Sequence, residues 1–150
     1  MPASPSHHRT PRRSRSLALA WAVSTIALSP PMLATATDWA TPAEASGYTR
    51  TPRYAETMAY FERLDAASPQ VAMLEFGTTA QGRAMQAVIV SSEGVSTPQA
   101  AHATGKPVVF IQAAIHPGEN EGKDVLMALV RDLTVSGKHA DLIEHAVLVL

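Results

Sequence analysis

The feature that most constrains the fold is an almost unbroken apolar run, PVVFIQAAI, over residues 107–115. Strands that are covered on both faces have this kind of sequence, because neither face needs polar side chains. A polar loop follows the run, and apolar residues then recur at helical spacing. The run therefore predicts a buried strand in a layered sheet.

The segments around this run alternate between strand and helix patterns. They comprise a helix, the two strands of a hairpin, a second helix and a last strand, over residues 51–69, 71–76, 84–90, 121–136 and 146–150. Strands interleaved with helices indicate an α/β layered sheet. Because the five residues 146–150 are all apolar, we expect them to begin a buried strand of a domain that continues further.

Each predicted helix carries one apolar stripe that we expect to face the core. In the first helix the stripe consists of Tyr54, Met58, Phe61 and Leu64. In the second helix it consists of Val125, Leu126, Leu129, Val130 and Leu133. The charged residues Lys123, Asp124 and Arg131 fall outside the second stripe.

The first 36 residues have the order of a secretory signal peptide. Four arginines between positions 9 and 15 precede an apolar run of about 12 residues, shorter than the roughly 20 that span a bilayer. A small-residue triplet ends at Ala36, where we expect cleavage. The prediction is a secreted or periplasmic product with no membrane attachment after cleavage, and residues 37–50 are predicted to form a leading linker.

Composition excludes several classes of function. The chain has no cysteine, so disulfide scaffolds and thiolate sites are excluded. Removing the four leading arginines from the 12 basic residues leaves eight, against 13 acidic ones. An acidic surface of this kind does not match nucleic-acid phosphates, and no nucleic-acid partner is expected.

The segment HPGENEGKD, residues 116–124, joins the predicted buried strand to the second helix. Ligands of open α/β sheets collect at such strand ends. His116 and Glu119 offer an imidazole nitrogen and a carboxylate, which suit zinc, and Pro117 and Gly118 would shape the loop between them. Spacing and position alone leave the metal interpretation and a plain helix-capping role equally open.

This segment resembles the first zinc motif of the M14 metallocarboxypeptidases, the carboxypeptidase A-type family. The turn GTTAQGR over residues 77–83 is similar to the family's G-x-S-x-x-G-R turn between its first two strands. The resemblance implies an incomplete mixed-sheet α/β/α layered domain, with residues 51–150 as its truncated N-terminal portion. It also implies one Zn²⁺ ion held by His116 and Glu119, and a peptide substrate cleaved at its C-terminal bond.

The same resemblance implies that the third zinc ligand and the general base come after Leu150, so no catalytic residue is assigned within the chain. His102, His139 and His145 are expected to have surface roles, and Arg83 a structural role in its turn. Gly118 replaces an arginine found in many digestive members. The sequence assigns no substrate-binding residue and no oligomeric state.

Two alternatives to the carboxypeptidase hypothesis stay open at this point. One is a zinc-dependent deacylase or amidase of the aspartoacylase-like branch, which shares the His-x-x-Glu motif. The other is a non-catalytic secreted α/β module in which His116 and Glu119 only cap a helix.

Overall fold

The computed structural model of the chain describes residues 39–150. The described elements, in chain order, are α1 (Pro42–Ala45), α2 (Tyr54–Ala67), β1 (Val71–Thr78), β2 (Ala84–Val90), α3 (Pro98–Ala103), β3 (Val108–Phe110), α4 (Glu121–Leu133), α5 (Asp141–His145) and β4 (Val147–Val149). The predicted signal peptide and its cleavage site lie outside these residues. No helix in the described part of the chain is long and apolar enough to cross a bilayer.

The four strands form one mixed sheet in the order β1-β2-β4-β3. β1 and β2 pair as an antiparallel hairpin, with a bulge between Glu75 and Gly77. β4 lies between β2 and β3 and pairs antiparallel to β2 but parallel to β3. A mixed α/β domain was predicted, and the sheet confirms that fold class.

Helices cover both faces of the sheet. Successive side chains of a strand point to opposite faces, so neighbouring residues of β2 show what packs on each face. Val88 and Val90 of β2 face a core that includes Leu64 of α2 and Met127 of α4. Ile89, between them, faces a smaller cluster that includes Ala101 of α3. The sheet therefore lies between the α2–α4 pair and the short helix α3, as the layered fold requires.

The predicted helices begin close to their expected positions. α2 begins at Tyr54, two residues beyond Pro52, and ends at the cap Ser68. Phe61 and Leu64 are buried as predicted, but Tyr54 is 41% exposed because it lies in the first turn, beyond the edge of the core. In α4 the buried face is displaced from the predicted stripe, since Met127 is fully buried and Val125 is 62% exposed.

Arg131 is buried, although it lies outside the apolar stripe read from the sequence. Its guanidinium donates to the carboxylates of Glu44 at 2.5 Å and Asp132 at 2.8 Å, and to the carbonyl oxygen of Trp39 at 3.3 Å. We call these four residues the Arg131 cluster. A buried arginine is stable in this position because each of these acceptors lies within hydrogen-bonding distance of the guanidinium.

Residues 37–50 were predicted from their composition to form a leading linker, but part of this segment is buried. Trp39, Thr41 and Ala43 are buried, and Thr41 begins α1 with a reciprocal capping box to Glu44. The hydroxyl of Tyr60 donates to the carbonyl oxygen of Trp39 at 2.7 Å, and the guanidinium of Arg63 lies 4.0 Å from the centre of the Trp39 ring. Residues 39–45 are therefore packed against α2 and α4.

The strand predicted over residues 107–115 is much shorter in the structure. β3 has three residues, Val108–Phe110, and all of them are exposed. Its position explains the difference, because β3 is at the end of the strand order and pairs with β4 alone within the described sheet. Residues 111–115 leave the sheet and lead directly to His116.

Candidate metal site

His116, Pro117, Gly118 and Glu119 form a tight turn just before α4. The amide of Glu119 donates to the carbonyl oxygen of His116 at 3.3 Å, which closes the turn. Pro117 at the second position and Gly118 at the third, with φ +95°, fit a type II turn, whose third residue needs a positive φ. The sequence Pro-Gly therefore sets the local geometry.

This turn brings the two predicted ligands together. Nδ1 of His116 lies 3.0 Å from Oε1 and 3.1 Å from Oε2 of Glu119. The amide of His116 also donates to Oε2 at 3.4 Å. The side chains are 73% and 60% exposed, so a solvent ion or a substrate group can reach both.

The two stems of the turn come close together at its base. Ala113 lies before the turn and Gly122 after it. A Cβ atom added to Gly122 would lie 2.8 Å from the Cβ of Ala113. Between Ala113 and His116 the chain bends sharply at Ala114, which has φ +55° in the left-handed region that is unfavourable for alanine.

The first turn of α4 is attached to the segment that precedes α2. The ammonium of Lys123 donates to the carbonyl oxygen of Pro52, and the hydroxyl of Thr51 donates to Asp124 at 3.0 Å. Asp124 lies in the acidic first turn of α4. Asn120 is at the N-cap position, but its side chain makes no capping hydrogen bond.

The His116–Glu119 pair fits a metal ion as part of a ligand set. Tetrahedral zinc with bonds of about 2.0–2.2 Å places neighbouring ligand atoms roughly 3.4 Å apart, close to the observed 3.0 Å. However, residues 39–150 contain no group of three or more His, Cys, Asp or Glu side chains that could hold a metal ion. The described chain thus offers two ligands, and zinc sites normally use at least three.

The other histidines and the arginine singled out in the sequence are not part of the His116–Glu119 pair. His102, His139 and His145 are exposed. Arg83 closes the β1–β2 turn, because its carbonyl oxygen accepts from the amide of Thr79 and its amide donates to the hydroxyl of Thr79. Its guanidinium lies 5.9 Å from the centre of the Tyr54 ring.

Sequence reasoning missed the residues that hold the turn in place, namely Gly122 and the contact between Thr51 and Asp124. Glycine is unfavourable in a helix, so a glycine in the first turn of α4 is the one sequence signal that a side chain is not tolerated there. The Thr51–Asp124 contact joins residues 73 positions apart and leaves no local signature.

A family model described as zinc carboxypeptidase, Peptidase_M14, matches residues 57–148, more than half of the chain. The chain belongs to this family. The match includes His116, Glu119 and the turn over residues 77–83, so the resemblance that carried the fold prediction is confirmed.

Solved carboxypeptidases share the fold. The chain is 21% identical to carboxypeptidase A from Helicoverpa armigera, with a TM-score of 0.59 over 75% of this chain and 28% of that one. It is 23% identical to a metallo-carboxypeptidase from Burkholderia cenocepacia, with a TM-score of 0.52 over 66% of this chain and 26% of that one. The chain thus spans about a quarter of the length of each. A search of curated proteins found no match.

Proposed function

We propose that the protein is a zinc-dependent carboxypeptidase that hydrolyses the C-terminal bond of a peptide, with His116 and Glu119 as two of its zinc ligands. The observation that carries the proposal is the 3.0 Å approach of Nδ1 of His116 to the Glu119 carboxylate, within the segment that matches the family model. Both side chains are exposed on one turn, and their ligand atoms are close enough to bind one ion.

The residues of this chain would hold and orient the ion. Nδ1 of His116 supplies a neutral nitrogen lone pair, and the Glu119 carboxylate supplies negative charge. The Pro-Gly turn fixes both on a short stretch of backbone, which limits the entropy lost on binding. When bound, zinc lowers the pKa of a water molecule and polarises a carbonyl group.

Two ligands leave such a site incomplete, so we propose that the third ligand and the general base belong to a part of the protein outside residues 39–150. The chain of 150 residues alone is then expected to bind zinc weakly and to hydrolyse nothing. We also propose that residues 1–36 direct export and that the mature protein is secreted or periplasmic. That proposal rests on the order of charged, apolar and small residues alone.

A second candidate has support from a specific contact. The Glu119 carboxylate accepts a hydrogen bond from the amide of His116, so the pair also stabilises the turn without any metal. In a non-catalytic module this role would be sufficient, and zinc would not bind at the turn.

Zinc titration by calorimetry separates the two candidates. The variants H116A and E119Q should each weaken zinc binding at least about tenfold, equivalent to about 1.4 kcal/mol. H139A, which removes an exposed histidine elsewhere, is the matched control and should bind zinc as the wild type does. Equal zinc affinity in all four proteins would reject the metal role.

Turnover of a blocked dipeptide and of an N-acyl amino acid should be measured in the same samples. We expect neither to be hydrolysed by the 150-residue chain. Tight stoichiometric zinc binding together with hydrolysis would contradict the two-ligand site. Preferential cleavage of the N-acyl amino acid would favour a deacylase instead.

A further inference from the structure

We propose that Gly122 is a positioning residue for the His116–Glu119 pair. Only a residue without a side chain at position 122 lets the two stems of the turn over residues 116–119, called the metal turn from here on, come together. The inference rests on the proposed function in one respect, which is that His116 and Glu119 bind zinc. The geometric part of the inference stands on the contact between Gly122 and Ala113.

Gly122 and Ala113 enclose the whole turn. Ala113 is three residues before His116, and Gly122 is three residues after Glu119. An added Cβ at Gly122 would lie 2.8 Å from the Cβ of Ala113, whereas ordinary contacts begin at 3.4 Å. The Cβ of Ala113 is bonded directly to the backbone, so relief requires the backbone of one stem to move.

The α4 stem resists such a movement. Lys123 is bonded to the carbonyl oxygen of Pro52, and Asp124 accepts the hydroxyl of Thr51. The other stem has no comparable attachment in the described structure after Ile111, whose amide donates to Val149. A methyl group at position 122 would therefore push the Ala113 stem, which leads to His116, away from the stem that carries Glu119.

The required displacement is large enough to affect ligation. Metal and catalytic groups need placement within about 0.5 Å, and the gap between 2.8 Å and an ordinary contact is of that size. Helix propensity would act in the opposite direction, because alanine is usually more favourable than glycine inside a helix. A loss of zinc affinity in G122A would thus come from the contact with Ala113 and not from a weaker helix.

The test uses the full chain with three variants: G122A, the double variant A113G/G122A, and the control G77A. The double variant removes the methyl group that the new Cβ would meet. In G77A the added Cβ meets only the sulfur of Met85, at an ordinary 3.7 Å. Zn²⁺ affinity is measured by calorimetry. The contact between the His116 ring and the Glu119 side chain is measured by NMR cross-relaxation without metal.

We expect G122A to bind Zn²⁺ about tenfold more weakly and to lose most of the His116–Glu119 cross-peak. The double variant should recover both, and G77A should change neither. If G122A does not fold, recovery of folding, cross-peak and Zn²⁺ binding in the double variant gives the same support. A folded G122A with an unchanged cross-peak, or a double variant that recovers nothing, would overturn the inference.

The two proposals fail in different ways. If wild-type Zn²⁺ binding does not depend on His116, the proposed function fails, and the metal-free cross-peak still decides the positioning role. If wild-type binding depends on His116 but G122A retains it in full, only the positioning role fails.

Discussion

Two of the close acid–base pairs in the described structure, Arg131–Glu44 and His116–Glu119, have different surroundings. In the Arg131 cluster the side chains of Arg131 and Glu44 are 10% and 26% exposed, and the guanidinium has three acceptors. In the metal turn His116 and Glu119 are 73% and 60% exposed and pair with each other. The first pair therefore joins α4 to the leading segment inside the domain, whereas the second pair stays accessible to solvent, as the proposed metal role requires.

The two acids in the Arg131 cluster, Glu44 and Asp132, have lowered pKa values. Burial alone would raise the pKa of Glu44, but hydrogen bonds from Arg131 and from the amide of Thr41 outweigh it, so the pKa lies below its usual value. Burial also opposes ionisation of Asp132, but the hydrogen bonds and charges of Arg131 and Lys138 together outweigh it and lower the pKa of Asp132. Burial raises the pKa of the adjacent Tyr60 to about 12.

Removing Arg131 should have the largest effect on stability. R131A leaves Glu44 and Asp132 partly buried without their main partner, and it removes a donor to the carbonyl oxygen of Trp39. Breaking a buried ion pair on one side costs about 3 kcal/mol or more, so the unfolding free energy should fall by about that amount in urea titrations.

The matched control for R131A is K138A. Lys138 also contacts Asp132, at 3.4 Å, but its side chain is 57% exposed. Its removal should change the unfolding free energy by less than about 0.5 kcal/mol. Similar losses for the two variants would show that burial does not distinguish them.

Acidification should weaken the Arg131 cluster before it affects the rest of the core. Because the folded pKa of Glu44 is below its ordinary value of 4.5, its contribution is complete above that value and is lost as pH falls through the folded pKa. Stability should therefore decrease below about pH 4.5, and E44Q should make that decrease shallower. Urea midpoints measured from about pH 6 down to pH 3 test this. Equal slopes for E44Q and the wild type would be inconsistent with the lowered pKa.

Variants of the metal turn should have the smallest effect on stability. H116A and E119A remove exposed side chains, so each should change the metal-free unfolding free energy by no more than about 0.5 kcal/mol. Thermal or urea unfolding without zinc checks this. A loss of 2 kcal/mol or more would mean that the pair is structural and would favour the non-catalytic module.

Local sequence patterns predicted the parts of this fold that depend on local interactions. β2 was predicted over residues 84–90 and has those bounds, and its β-branched residues 88–90 alternate between two cores. The Pro-Gly turn between His116 and Glu119 likewise depends on the backbone preferences of two adjacent residues.

The errors come from long-range contacts. The burial of Arg131 depends on Glu44, 87 residues away, and no helical pattern contains that information. The exposure of β3 depends on the order of strands in the sheet. In both cases the partner that decides burial lies far away in the sequence.

The position of β4 has a consequence for the order of folding. The β1–β2 hairpin closes through a short loop and can form early, whereas β3 joins the sheet only through β4, which follows every other described element in sequence. Such a late, non-local closure slows folding. Until β4 pairs with β3, the segment from β3 to His116 is not anchored to the sheet. The metal turn should therefore be among the last described parts of the molecule to acquire its final geometry.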